Sequence, residues 1–227
     1  MPGRATWLTP VAGEPELTCE TDKGDIKKTK PKPGDERTAG NLCIVYPCGV
    51  ILSIREIQRS ESTSQVWHMM LSLFELINWV PQLLGYDDAC HLYLFVHNSA
   101  RYACHTHLNS DFRTVWARIK ESTHFFIDRF HFSNHVDAWC QQNMSPFRDE
   151  VKQRLEGCNT EICEQTFKWL AKYKYSSIGM GRLRFNWFVL RMCELHNHHT
   201  IDRQQKKGKN PRLACDADRG GAEYVLS

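Results

Sequence analysis

The sequence predicts an α/β fold, a mixed sheet flanked by helices, and three observations carry that expectation. Two β-rich runs, residues 42–46 and 50–57, are separated only by Pro47-Cys48-Gly49, which reads as a hairpin. Beyond them, short apolar runs alternate with longer segments whose apolar residues recur every three or four positions. Strands that alternate with helices bury their faces by packing the helices onto a sheet.

Residues 1–40 are dominated by Pro, Gly, Thr, Glu and Lys, and Lys27-Lys28-Thr29-Lys30-Pro31-Lys32 is a basic, proline-spaced run. With no apolar face to bury, this arm is expected to stay disordered and solvated. It suits a nuclear localisation signal, a phosphate-seeking arm or a plain linker. Order is expected from Asn41. The near-continuous apolar character of the hairpin suggests strands covered on both faces. Ser60 or Ser62 then caps a helix with Val66, Met69, Met70, Leu73, Phe74 and Ile77 on one face, stopped by Pro81. Residues 83–86 form a short strand that ends at Asp87-Asp88, and a helix over 89–98 follows. Val115, Trp116 and Ile119 sit on a further helix within the weakly periodic residues 101–122.

A strand from His124 opens the next stretch, and a short helix is expected around Val151. Asn159-Thr160 begins a helix from 161 to about 175, with Ile162, Thr166, Trp169, Leu170 and Tyr173 on one stripe. After Gly179-Met180-Gly181, a last helix carries Leu183, Trp187, Leu190, Met192 and His196. Residues 202–227 return to polar composition, with Lys206-Lys207-Gly208-Lys209 as a second basic cluster. The ordered domain is thus predicted over 41–201, between two disordered tails.

At 227 residues, the chain can hold one domain with a sizeable core, and 41% hydrophobic with 11% aromatic residues excludes a wholly disordered protein. A net charge of +3 leaves nucleic-acid binding to local clusters. No apolar run reaches the ~18 residues of a membrane span. Met1-Pro2-Gly3-Arg4 does not resemble a signal peptide, so the protein is expected inside the cell, and its ten cysteines are read as free thiols and metal ligands.

His131 and His135 stand four residues apart, with Cys140 close behind. On a helical turn such positions share a face, so two imidazoles can converge on one ion, and zinc accepts that ligand set. The competing reading is a half-buried aromatic strand with histidines as ordinary polar neighbours. Functional groups in open α/β sheets gather past the carboxyl ends of strands, where both Asp87 and His131 are expected.

Thr38-Ala39-Gly40, Pro47-Cys48-Gly49-Val50-Ile51, Tyr86-Asp87-Asp88-Ala89-Cys90, Ile127-Asp128-Arg129-Phe130-His131 with His135, and Asn159-Thr160-Glu161-Ile162-Cys163-Glu164-Gln165 occur in succession. This series resembles the Kyakuja-Dileera-Zisupton (KDZ) transposases in their animal form, over about residues 36–201. The resemblance implies a ribonuclease H-like core that cuts and joins DNA with two divalent ions, magnesium or manganese. It implies Asp87 as the second catalytic acid and Glu164 as the third, with Glu161 one turn earlier left open. It also implies a zinc site of Cys90, His131, His135 and Cys140, with Cys158 as the alternative fourth ligand.

The family's first acid lies on an opening strand, whereas Asp22, Asp25 and Asp35 lie in polar sequence with no strand beside them. The core is therefore expected to be incomplete, corresponding to the carboxyl-terminal part of such an enzyme.

Plainer readings stand beside these. Asp87 suits a helix N-cap, and Glu161 and Glu164 suit the positive end of a helix. His196-Asn197-His198-His199 suits a metal or a solvated helix end. Trp169, Tyr173, Tyr175 and Trp187 suit base stacking or core packing. Lys168, Lys172, Lys174, Arg182 and Arg184 suit phosphate contact or a soluble face. Three functions follow as expectations. The first is a nuclear, transposase-derived protein with weak non-specific DNA binding and no cleavage activity of its own. The second is an active subunit whose missing acid comes from Asp22, Asp25, an upstream transposase segment or another protein chain. The third is a zinc-braced interaction module.

Overall fold

The computed structural model describes residues 40–57, 61–98 and 110–209. The first basic run, Asp22, Asp25, Asp35 and Ser60 lie outside the described residues. Strands β1 (Gly40–Val45) and β2 (Ile51–Ile57) form the expected antiparallel hairpin, with a register irregularity at Ile44/Val45. Its turn is closed by Tyr46 N–H to Val50 O at 2.8 Å and Gly49 N–H to Tyr46 O at 2.7 Å. Gly49 takes φ 94, a left-handed conformation that costs glycine little.

Helix α1 (Thr63–Leu76) is capped by Ser62, whose side chain accepts from Gln65 N–H. Its predicted face is buried at Val66, Met69, Met70, Leu73 and Phe74, and Trp67 and Leu71 are buried as well. Pro81 does not stop this helix. Asn78 does, at φ 48, with its N–H bonded to Glu75 O and the Trp79 N–H to Phe74 O, both at 3.1 Å. That pair is a Schellman ending, and the ring of Phe74 meets Trp79 edge-on at 6.0 Å.

Strand β3 (Leu83–Gly85) pairs in parallel with β4 (His124–Phe126). Parallel partners need a crossover, and α2 (Ala89–His97) and α3 (Ser110–Ser122) lie between them in the chain. Trp116 is fully buried beneath, with its indole N–H on Val96 O at 2.9 Å. Phe74, Leu92, Phe125 and Ile127 fill the same core.

The single mixed sheet is a correction: the four described strands form two separate two-stranded sheets. A ladder needs neighbouring strands about 4.8 Å apart. Here β1 and β3 are not laddered to each other, and both Asn41–Val45 and Leu83–Gly85 contribute lining to one groove of about 480 Å³. The predicted α/β class holds, with the sheet in two pieces.

Short helices α4 (Ala138–Asn143) and α5 (Asp149–Lys152) follow. The helix expected from 161 to 175 is broken into α6 (Ile162–Leu170), a 3₁₀ turn (Ala171–Tyr173) and α7 (Lys174–Ser177). The last helix, α8 (Arg182–Lys206), runs past the expected boundary at 201. Asn197 fixes it to the hairpin by accepting from Ile51 N–H at 2.8 Å and donating to Ile51 O at 2.9 Å. The helix therefore buries Val189, Cys193 and Thr200, on the Asn197 side. Leu183, Trp187 and Leu190 are exposed, so core packing does not hold for Trp187.

Candidate metal centre and acidic groove

The parallel ends of β3 and β4 deliver two neighbouring clusters. After β3, Ala89 N–H bonds Tyr86 O at 3.2 Å, and α2 starts with Cys90 in its first turn. After β4, Ile127 N–H bonds Met144 O at 2.9 Å. The Asp128 carboxylate then accepts from Phe130 N–H at 2.8 Å and His131 N–H at 3.0 Å, folding a 3₁₀ turn (His131–Asn134). His135 follows in extended conformation, and Asp137 caps α4 through Trp139 N–H, which sets Cys140 facing inward.

Cys90, His135 and Cys140 are all buried, and their ligand atoms lie within 4.8 Å of one another. Cys90 Sγ is 3.7 Å from His135 Nδ1. A tetrahedral zinc ion would hold a sulfur and a nitrogen ligand roughly 3.5–3.8 Å apart. Burial raises the Cys90 thiol, but hydrogen bonds with His135 and His91 outweigh it and bring the pKa down to about 7. A thiol near neutrality becomes a ligand easily. These three residues could hold a metal ion, and two thiols with an imidazole are compatible with structural zinc. His91, hydrogen-bonded first to Asp88 and also to Cys90, is pushed up to about 10.

His131 is not in this cluster. A 3₁₀ turn followed by extended backbone does not stack positions i and i+4, so the two imidazoles diverge. His131 Nδ1 donates to Asp128 Oδ2 at 2.6 Å, and Nε2 lies 3.8 Å from Glu164 Oε1. Burial lowers this histidine, but the Asp128 hydrogen bond and charge raise it overall. Cys158 is also elsewhere, half-buried against Leu155 with its thiol 3.7 Å from Arg154 O. Sequence reasoning missed the parts of Asp88, His91 and Asp128. The available signal was an acid three residues before a histidine in both Asp88/His91 and Asp128/His131.

The second cluster lies in the groove between β1 and β3, where Glu61, Asp87, Asp128, His131 and Glu164 all contribute lining. Asp87 keeps exposed surface, yet the groove walls displace much of the water around its carboxyl. Its pKa is raised to about 6 by burial and by the charge of Glu61, against the pull of Asp88 N–H and His131. Tyr86 donates to Glu61 at 2.6 Å, and burial pushes its phenol far up. Asp88, not Asp87, occupies the α2 cap position, and no side-chain cap hydrogen bond forms there. Glu164 lines the groove, while Glu161 is exposed at the α6 cap with its N–H on Asn159.

Lys168, Lys172, Lys174, Arg182 and Arg184 are exposed, although Arg182 is tied to Glu56 at 2.9 Å. Trp169 and Tyr173 pack edge-on at 5.4 Å. Tyr175 and Trp187, by contrast, are 85% and 70% exposed. His196 reaches Gly49 O at 3.0 Å, which makes it a structural contact, and His198 lies 4.0 Å from Glu194. No described helix is long and apolar enough to cross a membrane. No protein-family model, curated protein or solved structure matches the chain.

Proposed function

We propose that this chain derives from a KDZ-type DNA transposase. Its ribonuclease H-like core is incomplete and does not cut DNA alone, but it binds DNA weakly and without sequence preference in the nucleus. The observation that carries this reading is that Asp87, from the end of β3, and Glu164, from the first turn of α6, both line one groove. These are the two acids that the resemblance assigns. Asp87 and Glu164 would hold a magnesium or manganese ion, which when bound supplies Lewis-acid stabilisation of a phosphate.

Two-metal chemistry needs a further carboxylate to bridge the pair. Asp128 is engaged by His131 and two backbone N–H groups, and Glu61 by Tyr86. Neither is free to serve. Zinc at Cys90, His135 and Cys140 is structural in this reading, tying the end of β3 to the segment after β4. The lysines at 168, 172 and 174 and Arg184 supply the phosphate contacts.

The test is a nicking and strand-transfer assay of the chain with magnesium or manganese, beside Asp87→Ala and Glu164→Ala. No activity is expected. Activity in the wild type that both substitutions abolish would overturn the inactive reading and restore an active subunit completed from elsewhere. A zinc-braced interaction module is a second reading, favoured by the exposed Leu183, Trp187 and Leu190 on α8.

A further inference from the structure

Cys90, His135 and Cys140 leave a tetrahedral zinc ion one ligand short, and His131 is held elsewhere by Asp128 and Glu164. A second group of close ligand atoms, from Asp88, Cys90 and His91, shares the Cys90 sulfur with the first. Around that sulfur the spacing is nearly uniform: His135 Nδ1 lies at 3.7 Å, His91 Nδ1 at 3.6 Å and Asp88 Oδ1 at 3.6 Å. Two ligands of one tetrahedral zinc, one of them sulfur, keep roughly that distance, 3.5–3.8 Å. His91 Nδ1 and Asp88 Oδ1 are in direct hydrogen-bond contact, closer than the roughly 3.3 Å between a nitrogen and an oxygen ligand of one ion. Only one of these two atoms can therefore complete the shell.

Charge selects between them. Zinc with two thiolates and two neutral imidazoles carries no net charge, whereas an aspartate in the fourth place leaves one negative charge. Cys90, His135 and Cys140 are all buried, and an uncompensated charge among them is costly. His91 lies beside that group, not within it. Its side chain is 34% exposed, so it can turn toward the ion about its own torsions without moving the core.

We infer that His91 is the fourth ligand of the zinc ion. The first turn of α2 then supplies two adjacent ligands, Cys90 and His91, and the segment after β4 supplies His135 and Cys140. The inference rests on the zinc reading above and replaces only the ligand that His131 does not provide. On binding, the thiol protons and the Nδ1 proton that Asp88 accepts leave for solvent, and the other ring nitrogen of His91 keeps its own. A fourth protein ligand closes the shell, so the ion braces the fold and has no open position for a substrate.

The test is zinc X-ray absorption on the full chain loaded with one equivalent of zinc, together with zinc affinity measured by chelator competition. The wild type should show two sulfurs at about 2.3 Å and two imidazole nitrogens at about 2.0–2.1 Å. His91→Ala should lose one imidazole and bind zinc at least about tenfold more weakly, the smallest loss that disturbing even the outer partners of a metal site brings. His131→Ala should keep both imidazoles and the wild-type affinity. One imidazole with an oxygen in the wild type would overturn the inference, with Asp88 or water as the ligand instead, and needs no variant to fold. Two imidazoles that persist in His91→Ala, or an imidazole lost in His131→Ala, would overturn it while leaving the zinc reading intact. A wild type that takes up no zinc would sink the zinc reading itself, and this inference with it.

Discussion

Asp128 decides which cluster His131 joins. By accepting from two backbone N–H groups and from His131 Nδ1, it turns the imidazole toward Glu164 and away from Cys90. Replacing Cys140 with serine should therefore remove bound zinc, whereas His131→Ala should leave about one zinc per chain. Metal analysis of the two purified variants checks this. Asp87 makes a separate prediction. Its carboxyl titrates near 6 when folded, against 3.8 as the ordinary value. An acid with a raised folded pKa binds more protons in the native state, so its ionisation destabilises the fold as pH rises from about 4 to 6. Asp87→Asn should gain stability relative to the wild type across that window and hold a constant advantage above it. Exposure screens part of the effect, so paired melting curves at pH 4, 5, 6 and 7.5 read its direction.

Among the elements, the close approach of β3 to β4 tolerates only glycine at 85. A Cβ there would lie 2.6 Å from Phe126 Cζ, inside van der Waals contact with a buried ring. Gly85→Ala should cost about 1–3 kcal/mol through overpacking, measured by urea unfolding with an unchanged m-value. Helix α8 depends on Asn197 in a comparable way. Its amide satisfies both the N–H and the C=O of Ile51, and Asn197→Ala would strand both groups at a cost of about 1–3 kcal/mol. Faster exchange at Ile51 alongside a lower midpoint distinguishes this from a loss of helix propensity. The buried face of α8 follows from the same contact. Leu183, Trp187 and Leu190 were placed on this helix by sequence, but a run of apolar residues does not say which face is buried, and Asn197 selects another.

For the molecule as a whole, zinc should act as a brace, because Cys90 opens α2 while His135 and Cys140 follow β4. Losing a metal of this kind costs about 4 kcal/mol or more. At about 2–4 °C per kcal/mol for a domain of this size, a strong chelator should lower Tm by roughly 10 °C, reversed by added zinc. Unchanged melting after chelation would remove the brace. DNA affinity, in turn, should fall linearly with salt on logarithmic axes, at a slope near −0.9 for each of about four to six phosphates. A filter-binding titration between low and moderate salt measures it, and tight, salt-resistant binding to one sequence would contradict the proposed weak contact.

Local chemistry made much of this protein legible in the chain. The hairpin follows from Pro47-Cys48-Gly49 between two β-rich runs, α1 from the spacing of Val66 to Phe74, and the end of β3 from the acids at 87 and 88. His135 and Cys140 were candidate metal ligands from residue type, and Cys90 from the resemblance; the structure brings the three within reach of one ion. Spacing could not assign His131, because four residues place two side chains together only if the backbone between them is helical, and Asp128 made it a 3₁₀ turn. Nor could spacing say whether the strands join. Each strand's apolar pattern reports that it is covered, not what lies at its edge, and only the tertiary structure decided that β1 ladders to β2 and β3 to β4.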